Sequence, residues 1–239
     1  MIIPNNIKNI VILTGAGISA ESGIKTFRDH GGLWENYDIM DVASVEGFNK
    51  DPKLVYEFYN ARRAQLQKPE ISPNAAHLAL AELEKKFKGR VTIVTQNVDN
   101  LHERAGSHNI LHMHGELLKM RCTKSLKVFA ITGELNQSTV CPCCKVVGNL
   151  RPNIVWFGEV PNGLSEIDQL LRECDLFISI GTSGEVYPAA SFVMAAKQSG
   201  AHTLEQNLSP TKLSREFDSQ FTGSASIEVP RLVKLILSP

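Results

Sequence analysis

Short runs of β-branched and aliphatic residues alternate along this chain with longer stretches whose apolar positions recur at helical spacing. Ile10–Leu13, Val91–Thr95, Leu176–Ile180 and the stretch around Ala201–Glu205 read as strands, each rich in Ile, Val or Leu or bounded by turn residues. Helical patterns lie between them. Asp51–Gln67 opens with an Asp N-cap and Pro52 in its first turn, and Pro73–Phe87 opens in the same way with Ser72 and Pro73. Gly163–Glu173 and Pro188–Gln198 follow the period more loosely. Near-continuous apolar strands between helices predict an α/β fold, a Rossmann-like parallel sheet covered on both faces.

One segment breaks the alternation. From Arg121 to Arg151 the apolar period fades, turn residues accumulate, and four of the five cysteines (Cys122, Cys141, Cys143 and Cys144) fall within it. Too few apolar side chains lie there for an independent core, so residues 121–151 are expected to form a small inserted module with a metal as stabiliser. An odd cysteine total with a crowded subset favours that reading over a disulfide framework, and a reducing, cytoplasmic location. Cys174 stands apart and reads as a small buried apolar residue. The chain's 239 residues suit one large domain carrying this insertion. Lys+Arg 25 against Asp+Glu 25 gives no basic excess, which argues against nucleic-acid binding as the main activity. No apolar run approaches the roughly 20 residues of a bilayer span, and no secretory leader is visible in Met1–Ile7.

The first strand runs into Gly15-Ala16-Gly17-Ile18-Ser19-Ala20. This is the G-x-G-x-x-G/A arrangement with Ala20 in the third place, where glycines allow a tight turn and close approach of backbone N–H groups to a pyrophosphate at a helix N-terminus. A plain strand-to-helix turn needing positive φ is the alternative. A hydride-transfer Rossmann protein fits poorly, because its acid-tipped second strand would fall where Thr26–Trp34 is loop-like and glycine-rich.

Gly15–Ser19 with Ser22-Gly23-Ile24 and Phe27-Arg28 resembles the first signature of the sirtuins, the NAD-dependent protein lysine deacylases. Thr95-Gln96-Asn97-Val98-Asp99-Asn100-Leu101-His102 resembles their second signature, His114-Gly115-Glu116 their catalytic histidine motif, and Gly181-Thr182-Ser183 and Asn207 complete the set in family order. The resemblance covers nearly the whole chain and implies a single catalytic domain over 1–239. It implies that NAD is cleaved between nicotinamide and ribose as the acyl-lysine oxygen attacks, with nicotinamide, free lysine and O-acyl-ADP-ribose as products. His114 would be the general base on a ribose hydroxyl, a task an imidazole of near-neutral pKa suits. Without the family, His112 and His114 read as two structural histidines on one strand face.

Asn97 and Asp99 would line the nicotinamide pocket with Val98, and Gln96 would face the ribose; as isolated Asx residues they read equally well as caps of the next helix. Phe27, Arg28 and Trp34 belong to the family's cofactor loop, in which Lys25 replaces a usual proline. Gly15, Ala16, Gly17, Ser19, Ala20, Gly181, Thr182, Ser183, Asn207, Leu208, Ser209 and Ala225 complete the implied NAD contacts, with Ser183 on phosphate, Asn207 on the adenosine ribose and Ala225 beside adenine.

Tyr59 and Arg62 are three apart on one helix, so a hydroxyl and a guanidinium can converge on one carboxylate. In class III sirtuins such a pair recognises the acid end of succinyl- or malonyl-lysine, and Phe58–Gln65 with Pro73–His77 resembles the bacterial branch of that class. Removal of acetyl and succinyl groups is therefore expected, with malonyl a third candidate and ADP-ribose transfer to protein the alternative. An NAD-responsive module without turnover would have no need of His114 and Asn97, and a zinc-ribbon nucleic-acid adaptor conflicts with the charge balance. The acyl-lysine peptide is expected in the cleft between the large domain and the insertion, near Val155-Trp156-Phe157-Gly158-Glu159, where Trp156 and Phe157 fit substrate contact and core packing equally. The family's structural zinc takes two Cys-x-x-Cys-like pairs, and here Ser125 breaks the first. Cys122, Cys141 and Cys144 are the expected ligands, Cys143 competes with Cys144 in register, and an incompletely closed site is the alternative. No membrane is expected as a partner, and a monomer is the expected state.

Overall fold

Alternate residues of the first strand, β1 (Asn9–Thr14), feed two different cores. Ile10 and Ile12 join a cluster on one face of the sheet, and Val11 and Leu13 join another on the opposite face, as the two-residue strand period requires. The computed structural model describes residues 6–25 and 37–238. After β1 the chain makes two 3₁₀ turns and then runs through α1 (Ile39–Val42), α2 (Val45–Lys50), α3 (Pro52–Leu66) and α4 (Ala75–Lys86). It continues through β2 (Arg90–Thr95), α5 (Leu101–Ala105), β3 (Ile110–His112), β4 (Gly115–Cys122), β5 (Val128–Ala130) and β6 (Leu150–Ile154). The last part holds α6 (Leu164–Glu173), β7 (Leu176–Ile180), α7 (Phe192–Gln198), β8 (His202–Asn207), β9 (Ser219–Thr222) and α8 (Ala225–Leu237).

Six strands form one sheet in the order β3-β2-β1-β7-β8-β9, with every pairing parallel. Leu80 and Leu83 of α4 and Val229 and Leu232 of α8 cover one face. Ile167 and Leu171 of α6 and Phe192 and Val193 of α7 cover the other. This is the doubly covered parallel sheet that the strand–helix alternation predicts. Strand order reverses between β1 and β7, and open α/β sheets bind ligands at the carboxyl ends of the strands flanking such a point.

Where the local signals are strong the boundaries agree. Asp51 caps α3 by accepting from Leu54 N at 3.0 Å, with Pro52 at its start. The fourth helix begins later than its Ser-Pro signal implies. Asn74 is its cap, accepting from Ala76 N at 2.9 Å, while His77 Nδ1 accepts from Asn74 N in return. That reciprocal cap satisfies two donors that Ser72 and Pro73 leave open.

β4, β5 and β6 form a separate antiparallel sheet in the order β5-β4-β6. Its small core holds Tyr56, Met120, Leu135 and Leu150 together with Cys122 and Cys141. A third cluster, built from Val55, Phe58 and Tyr59 of α3 with Leu101, Leu117, Ile154 and Trp156, joins the two sheets and walls the space between them. No helix among the described residues is long and apolar enough to cross a membrane.

Candidate active site

The turn after β1 lies against the turn after β7. Gly15 N donates to Ile180 O at 3.0 Å and Gly17 N to Gly181 O at 2.8 Å. A Cβ on Gly15 would sit 2.8 Å from Gly181 O, one on Gly17 2.7 Å from Gly181 Cα, and one on Gly181 2.5 Å from Ile18 N. The glycine pattern has a cause that the motif does not reveal: neither Gly15 nor Gly17 has the positive φ that a plain turn would call for, and no long helix follows. Two backbone segments touch, and only glycines fit between them. Gly181, at φ +61, is the one that also needs the left-handed region.

Behind this crossing runs a buried polar network. Asn97 Nδ2 donates to Gly15 O and to Ser19 Oγ, each at 3.1 Å, and Ser19 Oγ donates to Asp99 Oδ2 at 3.0 Å. His77 Nε2 approaches Ser19 Oγ at 3.4 Å, while Thr14 Oγ1 donates to Thr95 Oγ1 at 2.9 Å and meets His102 Nε2 at 3.0 Å. Ser19 is the hub of this web, which the sequence motif alone does not reveal. Asp99 also accepts from Leu101 N, the first residue of α5, at 3.0 Å, while the N-cap itself is Asn100, whose side chain makes no capping bond. Burial holds His77 down at about 4 and His102 well below the usual histidine range, so both are neutral at pH 7. Burial likewise raises Asp99, opposed by its hydrogen bonds from Leu101 and Ser19.

His114 follows β3. Its Nδ1 lies 3.1 Å from Gln96 O, and a carbonyl can only accept, so Nδ1 carries the proton and Nε2 keeps its lone pair. Burial also lowers its pKa, against the pull of that carbonyl. A neutral imidazole with a basic Nε2 results. The glycine beside it is required: a Cβ on Gly115, at φ +86, would lie 2.0 Å from Asn153 O across the β4–β6 pair.

Among the described residues these elements border one cleft of about 1330 Å³. Gly15, Ala16, Gly17, Ser19 and Ala20 line it from the first turn, Gln96 to Asp99 from the end of β2, and His114 from the start of the second sheet. Gly181, Thr182 and Ser183 line it after β7, Asn207, Leu208 and Ser209 after β8, and Ala225 at the start of α8. Gln96 Nε2 donates to Thr182 Oγ1 at 2.9 Å and Asn207 Nδ2 to Thr182 O at 2.8 Å, which braces these turns against one another. Phe27, Arg28 and Trp34 lie outside the described residues. A glycine floor too tight for any side chain, with polar groups from four strand ends around it, fits a dinucleotide.

Tyr59 and Arg62 reach the same cleft from α3. Trp156 Nε1 donates to Tyr59 Oη at 3.0 Å, so the phenol's own hydrogen remains to be donated, and burial raises its pKa and keeps it neutral. The Arg62 guanidinium stacks 3.2 Å from the Phe58 ring centroid and donates to Phe58 O at 2.9 Å. Burial lowers its pKa to about 10, partly offset by Tyr59 and Tyr37, which leaves it charged at neutral pH. The structure separates the two aromatics that the sequence left equal. Both line the cleft, but Trp156 is buried beneath the Arg151 guanidinium, whereas Phe157 is half exposed.

All four thiols of the insertion converge. The sulfurs of Cys122, Cys141, Cys143 and Cys144 lie within 4.8 Å of one another. Tetrahedral zinc with Zn–S bonds of about 2.3 Å needs sulfurs about 3.8 Å apart, so the cluster fits a structural zinc. Cys143 belongs to it alongside Cys144, not as a competing register. Ser125, where a cysteine pair would be completed, lies 3.2 Å from Cys143 Sγ and donates its N–H to Cys122 Sγ at 3.5 Å. Those contacts suit thiolate sulfurs held by outer hydrogen bonds.

Comparison with known proteins agrees with this geometry. Residues 15–188 match the model of the Sir2 family. The chain belongs to the Sir2 family, the sirtuins. It is 59% identical over 231 residues, 97% of this chain and 94% of the relative, to a Vibrio vulnificus protein named NAD-dependent protein deacylase. A protein of the same name from Escherichia coli K12 is 57% identical, over 95% of this chain and 82% of its own length. Among solved structures, a Sir2 homologue in complex with NAD superposes with a TM-score of 0.87 at 39% identity, covering 97% of this chain and 91% of that one. A Sir2–p53 peptide–NAD+ complex superposes with a TM-score of 0.80 at 30% identity, covering 96% and 93%.

Proposed function

We propose that this chain is an NAD-dependent protein lysine deacylase that removes both acetyl and succinyl groups, with residues 121–151 as a zinc-stapled module inserted in a single catalytic domain. The observation that carries this reading is the position of His114: a neutral imidazole lining one cleft with a glycine floor on one side and the Tyr59–Arg62 pair on another. NAD, consumed in the reaction, supplies the electrophilic ribose carbon. Gly15–Ala20, Gly181–Ser183, Asn207–Ser209 and Ala225 hold it through backbone approach and short polar side chains, and Gln96 meets its ribose. Asn97 and Asp99 present an amide and a carboxylate to the nicotinamide carboxamide. His114 Nε2 takes the ribose hydroxyl proton, a step of general-base catalysis worth about 10²–10⁴ in rate. Phe27, Arg28 and Trp34 are assigned to the same cofactor contacts by resemblance alone.

The acylated peptide enters beside Phe157, and its acyl chain runs toward Tyr59 and Arg62. A succinyl carboxylate there accepts from the Tyr59 hydroxyl and the Arg62 fork. The shorter acetyl group fits the same cleft, with water taking the space that a succinyl carboxylate would fill. Nicotinamide release tests the reading. With either peptide, release must require both NAD and the acyl-lysine. Release without peptide, or label from NAD retained on protein in place of free lysine, would contradict it.

A further inference from the structure

His112 is not needed as a base in the proposed chemistry, yet it grips the same segment as His114. His114 Nδ1 lies 3.1 Å from Gln96 O, and His112 Nδ1 lies 3.4 Å from the next carbonyl, Asn97 O. The third carbonyl in the row, Val98 O, accepts from Leu117 N at 2.8 Å. Each carbonyl of Gln96–Val98 thus has its own donor. On its far side, His112 Nε2 lies 2.5 Å from Glu103 Oε1 of α5. With Nδ1–H committed to a carbonyl, so short a contact holds a proton between Nε2 and the carboxylate, which makes an imidazolium–carboxylate pair. Burial alone would push His112 down, but Glu103, then Glu116 and the Asn97 carbonyl, raise it. Glu116 Oε2 is engaged 2.6 Å from Lys119. The shared proton and that lysine already neutralise the two carboxylates, so the three groups have no need of a metal.

We propose that His112 and Glu103 form a positioning pair that fixes the Asn97–Asp99 turn for nicotinamide. Neither residue is assigned a contact with reacting atoms. The pair acts through the Asn97 carbonyl and through Glu103 of α5, the helix whose first residue, Leu101, donates its N–H to Asp99. This inference rests on the reading that Asn97 and Asp99 receive the nicotinamide carboxamide.

The test compares His112→Ala, His112→Gln, Glu103→Ala and Asn97→Ala for kcat, KM for NAD, inhibition by added nicotinamide, and melting temperature. Loss of a charge-supported hydrogen bond predicts that His112→Ala raises both KM for NAD and the half-inhibitory nicotinamide concentration about tenfold. The fall in kcat should stay within about threefold, the split that marks lost binding and not lost chemistry. His112→Gln, whose amide can still donate to Asn97 O, should recover most of the loss. The Glu103 side chain is 40% exposed, so Glu103→Ala should fold even if His112→Ala does not, and it should move both readouts the same way by a smaller factor. Unchanged KM and nicotinamide inhibition in folded His112→Ala or Glu103→Ala, or a loss confined to kcat, would overturn the pair. If Asn97→Ala weakens nicotinamide inhibition while His112→Ala does not, only the pair fails. If Asn97→Ala leaves inhibition at the parent value, the nicotinamide reading fails and the pair falls with it.

Discussion

The six-stranded parallel sheet buries aliphatic side chains on both faces, from α4 and α8 on one side and α6 and α7 on the other. The three-stranded antiparallel sheet shares one small cluster, in which two of the six buried members are cysteines and Tyr56 is borrowed from α3. Leu126, Val128, Val140, Val146 and Val147 of this second region are exposed, so its apolar residues are not spent on a core of its own. The first region is held by area removed from water, and the second by thiols and by a helix of its neighbour. Tyr56 Oη, which donates to Leu150 O at 2.6 Å, is the seam between them.

Removing the metal should separate the two sheets most sharply. A structural zinc contributes on the order of 10 kcal/mol to the fold that binds it. Chelation or Cys141→Ala should therefore abolish amide-exchange protection in β4, β5 and β6 while β1, β2 and β7 keep theirs. Uniform loss across both sheets would show that the two regions are not separately stabilised.

Gly181→Ala strikes the other region where the turns after β1 and β7 touch. A Cβ there meets the backbone at Ile18 N and Gly17 C, which cannot yield like a side-chain tip, and φ is +61. Overpacking and left-handed strain together cost about 3–4 kcal/mol, whereas Gly133→Ala, with nothing within 4 Å, should change stability by less than about 0.5 kcal/mol. Denaturant midpoints measure both, and equal effects would remove the close-approach explanation of the glycine motif.

Acidification should follow, with a slightly smaller effect on the same region. His77 is held down at about 4, and its ordinary value is near 6.5. The unfolded chain binds a proton that the folded chain refuses, so stability falls as pH drops from about 6.5 toward 4, by about 3 kcal/mol in all. His102 adds in the same direction. His112 runs the opposite way: its pKa is raised, so its contribution is full below about 6.5 and is lost as pH rises through the folded value. Melting temperatures against pH for the parent, His77→Gln and His112→Gln should diverge on opposite sides of neutrality. Parallel curves would refute both assignments.

The seam helix carries the smallest effect. Arg62→Met should lower kcat/KM on a succinyl-lysine peptide by about 10–100-fold, the value of a charge-assisted contact, and leave the acetyl peptide within about threefold. Equal losses on the two peptides would refute the carboxylate role.

The parallel sheet is legible in the sequence at β1, β2 and β7, which are buried on both faces and rich in Ile, Val and Leu, whereas β8 is buried too but carries Leu204 as its one apolar residue. The edge strands β3 and β9 are short and half polar, and α8 carries Pro230 in its interior, a residue that ordinarily signals a break. Packing against α4 overrides that signal. In the cleft, Gly15, Gly17 and His114 are visible as motif residues, yet the reason for the glycines is a contact between positions more than a hundred and sixty residues apart in sequence. The same holds for Ser19, whose partners His77, Asn97 and Asp99 come from separate elements, and for Cys143, which joins its neighbours only once the Cys141–Cys144 turn folds back on Cys122. Local pattern identifies these residues, and tertiary contact supplies their partners.

The most direct measurement is single-turnover formation of free lysine from an acyl-lysine peptide at saturating NAD, comparing the parent with His114→Ala. With His114 as general base, the variant's rate should fall by about 10²–10⁴ with the melting temperature within a few degrees of the parent. Lysine released at the parent rate by the folded variant would contradict it.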